Sequence, residues 1–261
     1  MNNRHSAQPM KKNTLGDHMK EKKKQKRHPL LWIMIILCIC LMLISGYQLI
    51  NQYLLYKVAV DEYKDLSAIA YDDVGEADVN FPALQQVNMD GLAWITIEDT
   101  NIDYPIVQGE DNDYYLHHTF NGTESSSGAI FMECSNSPDF SDQNTIIYGH
   151  NMKNGSMFRD LSNYKDQSFY DEHPTFTIYT PTSTYTCEVI AAFVCNPDSD
   201  IYTISFEDSA LFLSLQNSAR ASSLIQTAGV ASEDAKIVTL STCDYTYSDA
   251  RMVVMAQMIE Q

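Results

Sequence analysis

Residues 236–260 read KIVTLSTCDYTYSDARMVVMAQMIE, and this stretch decides the fold. Its two apolar runs, 236–243 and 251–260, have the alternating and β-branched residues that are typical of strands. The seven residues between them, DYTYSDA, are polar and turn-like. We therefore predict an antiparallel hairpin. It would bring Cys243, at the end of one strand, to the same end of the sheet as Arg251, at the start of the next.

Short apolar runs separated by Asp, Asn and Pro extend upstream from about residue 91 and predict further strands. They are GLAWITIEDTNIDYPIVQG, GAIFME, NTIIYGH and TFTIYTPTSTYTCEVIAAFVC, and the last of these reads as a second hairpin. Helices are predicted in MFRDLSNY (157–164) and in FEDSALFLSLQNSARASSLIQTAG (206–229). This pattern predicts one mostly-β domain, either a barrel or a sandwich, with a helix inserted before the last two strands.

An apolar segment near the amino end, PLLWIMIILCICLMLISGYQLI (29–50), is a second clear signal. It reaches the ~20 residues that span a bilayer as a helix. The basic run KEKKKQKRH before it predicts a cytosolic amino terminus, with the rest of the chain outside the cell. A cleaved signal peptide is the alternative. No A-x-A-like site follows the apolar core, so we predict a retained single-pass anchor in the cell membrane.

The charge is divided unevenly along the chain. The net charge is −17, but residues 1–28 hold nine Lys/Arg and two Asp/Glu (+7), which leaves −24 for the remainder. We predict a basic cytosolic tail (1–28), the anchor (29–50), a juxtamembrane helical linker (51–85) and an extracellular domain (86–261). The acidic body argues against nucleic-acid binding and is compatible with a cationic or amine-bearing partner. Solubility alone would also explain it.

The cysteines do not form a recognisable scaffold. Two of the six lie in the apolar segment, where they are predicted to fill apolar space, and four follow it: Cys134, Cys187, Cys195 and Cys243. Cys187 and Cys195 lie in one predicted strand, about 26 Å apart, so they could not bridge each other. No CxxC or Cys/His spacing indicates a metal site. We predict packing roles for the first three of these four cysteines.

A nucleophilic thiol at Cys243 would need a base or a positive neighbour. His150 ends the apolar run NTIIYGH and precedes Asn151 in a loop, a position that often carries function. The other histidines are in the predicted cytosolic tail, in a pair that strand alternation would point opposite ways, or in a turn: His5, His18, His28, His117, His118 and His173. The residues alone leave two alternatives open. His150 could be structural, and Cys243 with Arg251 could be a buried thiol and a surface cation.

TLSTC (239–243) with an arginine eight positions on, and YGHN (148–151) upstream, together resemble the sortases, membrane-anchored cysteine transpeptidases of Gram-positive bacteria. The segments NIDYPIVQGEDNDYYL, GAIFME and NTIIYGHNMKNGSMFRDL, and the helix before the last two strands, resemble class B over roughly residues 85–261. The resemblance implies a closed eight-stranded β-barrel. Extra helices would lie at its amino end and one helix before its seventh strand.

Roles for individual residues follow from this resemblance. It implies that Cys243 is the nucleophile, His150 the acid/base and Arg251 the substrate and oxyanion partner. The positions implied to line the peptide groove are Asn112, Leu116, Tyr148 and Ser241. No metal or organic cofactor is implied. Two features depart from the expected pattern, because Glu133 stands where an aspartate is expected and Cys134 adds a second thiol in the loop that follows.

The implied reaction is cleavage of the C-terminal sorting motif of a secreted protein after its threonine. The acyl group would pass, through a thioacyl-enzyme, to an amine of a peptidoglycan cross-bridge or of a lipid-linked precursor. Two alternatives stay open at this point. One is a thiol peptidase that releases its product to water, and the other is a non-catalytic, wall-binding β-domain.

Overall fold

The computed structural model describes residues 29–72 and 78–261. The predicted cytosolic tail, 1–28, lies outside the described residues. Helix α1 runs from Pro29 to Ala70, and it is the one described helix that is long and apolar enough to cross a membrane. The chain divides into two compact units at residue 50, so the apolar first part of α1 and the domain that follows are described separately.

The second unit contains a closed barrel of eight strands, as predicted. The strands are β1 Gly91–Thr96, β2 Asp103–Val107, β3 Ile130–Met132, β4 Asn144–Tyr148, β5 Thr175–Tyr179, β6 Thr184–Cys195, β7 Lys236–Cys243 and β8 Arg251–Glu260. They pair around the barrel in the order β1-β2-β3-β4-β7-β8-β6-β5. The remaining α-helices are α2 Phe81–Val87, α3 Tyr114–His117, α4 Gln167–Glu172 and α5 Ser209–Ala221, and 3-10 helices cover Phe158–Lys165 and Asp200–Tyr202.

The pairing of the last strands confirms the predicted hairpin. β7 and β8 are antiparallel, and Cys243 lies directly opposite Arg251. β4 and β7 are parallel neighbours, so their carboxyl ends meet at the same edge of the barrel. The residues that follow β4, the residues that end β7 and the first residues of β8 therefore converge at that edge.

β7 is buried on both faces because two apolar layers enclose it. Val238 and Leu240 point into the barrel interior, whereas Ile237 faces a second apolar cluster that includes Phe212 of α5. The helix inserted between β6 and β7 thus covers the outside of the barrel at this point. Because both sides are covered, Lys236 is the one exposed residue of this strand, and the hydroxyl side chains of Thr239, Ser241 and Thr242 are buried as well.

Part of the segment predicted as a linker belongs to the core of the barrel domain. α1 continues through residues 51–70, and Tyr63, Leu66 and Ala70 are buried in the main apolar cluster. The Tyr63 hydroxyl donates a hydrogen bond of 2.8 Å to the carbonyl of Gly128.

Two local predictions differ from the structure. The helix predicted over 206–229 ends at Ala221, because the next residues bond to β6 instead: Leu224 N–H donates to the Ala192 carbonyl at 2.8 Å. The segment YYLH forms the short helix α3, so the strand alternation assumed for His117 and His118 was wrong. Helix formation there is local, because Asp111 Oδ1 accepts from the N–H of Tyr114 at 2.8 Å.

Candidate active site

The three residues with predicted chemical roles come from three different elements that meet at one edge of the barrel. His150 follows β4 by two residues, Cys243 ends β7 and Arg251 begins β8. A cavity of about 320 Å³ opens there. Seven of its lining residues are those that the sequence proposed: Asn112, Leu116, Tyr148, His150, Ser241, Cys243 and Arg251. The structure brings this set together, and the role of each member stays a prediction.

The imidazole of His150 is oriented by a backbone carbonyl. Its Nε2 lies 2.8 Å from the carbonyl oxygen of Leu116, at the end of α3. Because a carbonyl only accepts, Nε2 carries the hydrogen of this bond, and Nδ1 is the nitrogen available for proton transfer. The preceding position must be glycine, since a Cβ on Gly149 would lie 2.4 Å from Ile130 Cδ1 and 2.7 Å from the ring of Phe158.

Asn151 ties the histidine loop to the cysteine strand. Its Nδ2 donates to the backbone carbonyl of Cys243 at 2.7 Å and to Ser162 Oγ at 3.2 Å. Asn151 lies within the YGHN motif, and nothing in the sequence alone indicated a role for it. The bond joins residues 92 positions apart, so only the pairing of β4 with β7 makes it possible.

Arg251 is held at one end by the loop that precedes it. Its Nη1 donates to the carbonyls of Asp249 at 3.1 Å and Ala250 at 3.2 Å. A guanidinium has five N–H donors in a planar fork, so most of its donors are left for a ligand in the cavity. On the other side of β8, Cys195 is the register partner of Arg251, so the arginine lies between two thiols.

A carboxylate network supports one wall of the cavity. Glu133 accepts from Asn112 Nδ2 at 2.7 Å and from the Tyr148 hydroxyl at 3.0 Å. The amide of Asn112 is fixed at its other end, because Oδ1 accepts from the N–H of Cys134 at 2.8 Å. Burial opposes ionisation of Glu133, but the hydrogen bonds from Asn112, Cys134 and Tyr148 outweigh it and lower the pKa of this carboxyl. Glu133, which stands where an aspartate was expected, therefore fixes the side chains of Asn112 and Tyr148, two of the predicted groove residues.

The neighbouring thiols are not activated. Burial, together with the Glu133 carboxylate, raises the pKa of Cys134. Burial also raises the pKa of Cys195, although the hydroxyl of Tyr202 and the charge of Arg251 oppose the shift. Cys187 is fully buried, and its pKa is raised as well. Thiolate formation is therefore disfavoured at all three.

Tyr202 completes the opposite wall, and the sequence analysis missed it. Its hydroxyl lies 2.9 Å from Ser241 Oγ, and its ring centroid lies 6.2 Å from that of Tyr148. Tyr202 ends a short 3-10 helix between β6 and α5, in a segment with no periodic pattern, so no signal in the sequence singled it out. In the described part of the chain, no group of three or more His, Cys, Asp or Glu side chains is arranged to hold a metal ion.

Comparisons of the sequence and of the structure with known proteins point to one family. The sortase domain family model matches residues 95–259. Sortase B of Listeria monocytogenes is 37% identical over 203 residues, which cover 75% of this chain and 82% of that protein. Among solved structures, sortase B of Bacillus anthracis in complex with AAEK1 superposes with a TM-score of 0.72 at 32% identity, covering 80% of this chain and 100% of that one. A Staphylococcus aureus sortase B–substrate complex also gives a TM-score of 0.72, at 27% identity, covering 78% and 97% of the two chains.

Proposed function

The chain belongs to the sortase family, and we propose that it is a membrane-anchored cysteine transpeptidase of the class B type. The observation that carries this proposal is the convergence of Cys243, His150 and Arg251, from three separate elements, on one cavity. Such a constellation supplies a nucleophile, a proton carrier and a fixed cation around one reacting carbonyl.

In the proposed first step, Cys243 Sγ attacks the carbonyl carbon of the threonine in a sorting motif. The negative charge that develops on the carbonyl oxygen is stabilised by the guanidinium of Arg251. His150 takes the proton of the Cys243 thiol at Nδ1 as the sulfur attacks. It gives that proton to the departing amine as the C–N bond breaks, which leaves a thioester between Cys243 and the threonine. The free Nδ1 of His150 suits this transfer, since Nε2 is engaged with Leu116.

In the second step an amine attacks the thioester. His150 accepts the proton that the amine loses, the new amide forms as the C–S bond breaks, and His150 passes the proton to the departing sulfur, which restores the thiol of Cys243. Two covalent steps thus replace one amide exchange. We propose that the amine belongs to a peptidoglycan cross-bridge or a lipid-linked precursor, and the acidic domain is suited to a cationic acceptor.

The peptide is proposed to lie along the cavity wall formed by Asn112, Leu116, Tyr148 and Ser241, which the structure lines with aromatic and polar groups. The substrate complex of the Staphylococcus aureus relative supports this kind of partner. For the location of the protein, we propose that the apolar part of α1 anchors the chain. The basic run before it would be cytosolic and residues 86–261 would form the extracellular catalytic domain.

Mass spectrometry of the detergent-solubilised full chain, incubated with a small library of sorting peptides, tests the proposal. We expect an acyl adduct on Cys243, and transfer of the acyl group to a peptide amine when one is added. Cys243→Ala should lose both products, whereas the matched variant Cys134→Ala should keep them.

The alternatives predict different products. A thiol peptidase would form the adduct but give the same hydrolysed product with or without an amine. A wall-binding domain would form no adduct, and alkylation of Cys243 would leave its binding intact. An adduct found mainly on Cys134 would contradict the assignment of the nucleophile.

A further inference from the structure

An ion pair between a half-buried lysine and a buried aspartate lies directly beside the proposed nucleophile. Asp244, the residue after Cys243, has a side chain only 3% exposed, and its Oδ2 lies 2.5 Å from Lys165 Nζ. Its Oδ1 accepts from the N–H of Thr246 at 2.9 Å and also from the Thr246 hydroxyl. Burial opposes the charge of Asp244, but these partners outweigh it and lower the pKa of the carboxyl. The carboxyl of Asp244 is therefore ionised at neutral pH and closely bonded.

The bonds of Asp244 extend to Arg251 through one carbonyl. The backbone N–H of Asp244 donates to the carbonyl of Ala250 at 2.8 Å, which closes the loop between β7 and β8. The same carbonyl accepts from Arg251 Nη1 at 3.2 Å. In between, Asp249 has a φ of 61°, a left-handed conformation that a residue other than glycine adopts only when its surroundings enforce it. The bond from the N–H of Asp244 to the Ala250 carbonyl thus holds the β7–β8 loop in the conformation that positions the guanidinium of Arg251.

Lys165 connects the same loop to the histidine side of the cavity. It ends the 3-10 helix Phe158–Lys165, and the N–H of Phe158 donates to the carbonyl of His150 at 3.0 Å. The Lys165–Asp244 pair is therefore a further connection between the segment with His150 and the segment with Cys243 and Arg251, besides the bond from Asn151 to the Cys243 carbonyl.

A direct catalytic role for the Asp244 carboxylate does not fit these contacts. His150 Nε2 is bonded to Leu116 rather than to a carboxylate. Both oxygens of Asp244 are engaged, one with Lys165 and the other with Thr246. The carboxylate thus has the contacts of a support for the loop and not those of a proton carrier.

We propose that Lys165 and Asp244 are positioning residues, which hold the β7–β8 loop so that Arg251 lies beside Cys243 in the geometry that acylation requires. This inference rests on the proposed function, because the geometry matters only if Arg251 acts on a substrate at Cys243. Loss of the ammonium leaves a buried carboxylate without its cation, and the loop must then shift to hydrate it.

The first test compares Lys165→Met with Lys236→Met in peptide cleavage by the full chain. Lys236 is exposed at the opposite end of β7, and it has no ion pair among the described residues. We expect Lys165→Met to lower kcat about 10- to 100-fold, as displacement of a reacting group by about 1 Å does, with KM changed less than about threefold. Lys165→Arg should recover most of the rate, and Lys236→Met should behave as the wild type. Equal kcat values for Lys165→Met and the wild type would overturn the proposal.

A second readout separates positioning from general loss of structure. Cys187 is fully buried, so its alkylation in the native protein reports opening of the barrel. We expect Cys187 to stay protected in Lys165→Met, while the alkylation rate of Cys243 by iodoacetamide changes severalfold. If Cys187 becomes reactive, the double variant Lys165→Met/Asp244→Asn, which leaves no buried charge, is measured instead. It should keep Cys187 protected and still lose kcat at least tenfold, and a wild-type kcat would count against the pair.

The alkylation readout does not depend on turnover, so the two proposals can fail separately. Absence of an acyl adduct on wild-type Cys243 would end the proposed function. An unchanged Cys243 alkylation rate in Lys165→Met, with the adduct still formed on the wild type, would end the positioning proposal alone.

Discussion

His150 is the residue whose environment most limits the possible chemistry. The Leu116 carbonyl holds Nε2 at 2.8 Å, so the ring is oriented by the end of α3 rather than by an acid. A neutral carbonyl fixes the tautomer without adding a charge to the site. The imidazole is therefore free to gain and lose a proton at Nδ1, as both steps of the proposed reaction require.

We predict that His150→Ala lowers kcat/KM for sorting-peptide cleavage by about 10²-fold or more, the usual effect of removing a positioned acid/base. His117→Ala and His118→Ala are matched controls, because both residues lie outside the residues that line the cavity. His118 stacks on Tyr114 with centroids 4.1 Å apart, and His117 is exposed at 4.0 Å from Asp113. Steady-state kinetics with one peptide measure all three, and a larger loss in either control would contradict the role of His150.

A second prediction at the scale of single residues concerns Glu133. We expect Glu133→Gln to raise KM for the peptide about tenfold with a smaller change in kcat. The amide has only one acceptor oxygen, so either Tyr148, which donates to Oε2, or the N–H of Ser135, which donates to Oε1, loses its acceptor. This is the effect of losing about one hydrogen bond to a charged group, worth about 1.5–3 kcal/mol. Glu188→Gln, an exposed glutamate on β6, should leave KM unchanged.

The pH dependence of this effect has a definite sign. The pKa of Glu133 is lowered from its ordinary value of 4.5, so its contribution to order in the groove is complete above that pH. It is lost only as the pH falls through the lower pKa of the folded protein. KM of the wild type should therefore show no pH-dependent change from titration of Glu133 between about pH 5 and 8. A rise in KM that titrates near neutrality in the wild type and is absent in Glu133→Gln would contradict this assignment.

At the scale of elements, the strands and turns that neighbouring residues determine could be predicted from the sequence. Strand alternation and a polar turn were enough for the β7–β8 hairpin, and with it for the approach of Cys243 to Arg251. The position of His150 beside Cys243 could not be predicted from neighbouring residues, because it depends on the parallel pairing of β4 with β7 across about 90 residues of sequence. The YGHN and TLSTC motifs identified it only through their resemblance to a known family.

Other elements were missed for physical reasons. The four-residue helix α3 is too short to show a helical period, and the Asp111 side chain that bonds to its first N–H is the main signal for it. The helix before β7 ends early because residues after Ala221 bond to β6, a tertiary effect. The Lys165–Asp244 pair joins positions 79 residues apart, so neither residue carries a local signal for the other.

At the scale of the whole molecule, the described parts of the chain combine an exposed apolar helix segment with a folded barrel domain. Residues 50–70 of α1 belong to the second of these units, and Tyr63, Leu66 and Ala70 are buried in its main apolar cluster. Tyr63 bonds to Gly128 and accepts from the N–H of Phe120, while the Glu62 carboxylate accepts from Thr119 and Asn121. Because this segment contributes buried side chains to the core, we propose that the structural boundary of the domain lies well before residue 86.

We predict that a fragment of residues 50–261 is stable, whereas a fragment of residues 73–261 is strongly destabilised or unfolded. The shorter fragment loses the buried side chains of Tyr63, Leu66 and Ala70 and leaves the surface beneath them exposed. Truncating one buried leucine to alanine costs about 2–5 kcal/mol, a large share of the 5–15 kcal/mol that typically stabilises a domain. Urea unfolding followed by circular dichroism measures the difference between the two fragments.

Point variants within the 50–261 fragment refine this comparison. Leu66 is 2% exposed, so Leu66→Ala should lower the free energy of unfolding by about 2–5 kcal/mol. Val58 lies on the same helix but is 54% exposed, so Val58→Ala should change it by less than about 0.5 kcal/mol. If the two fragments unfolded at the same urea concentration, and Leu66→Ala matched Val58→Ala, α1 would be an anchor alone. The barrel domain would then begin at α2, near the boundary that the sequence indicated.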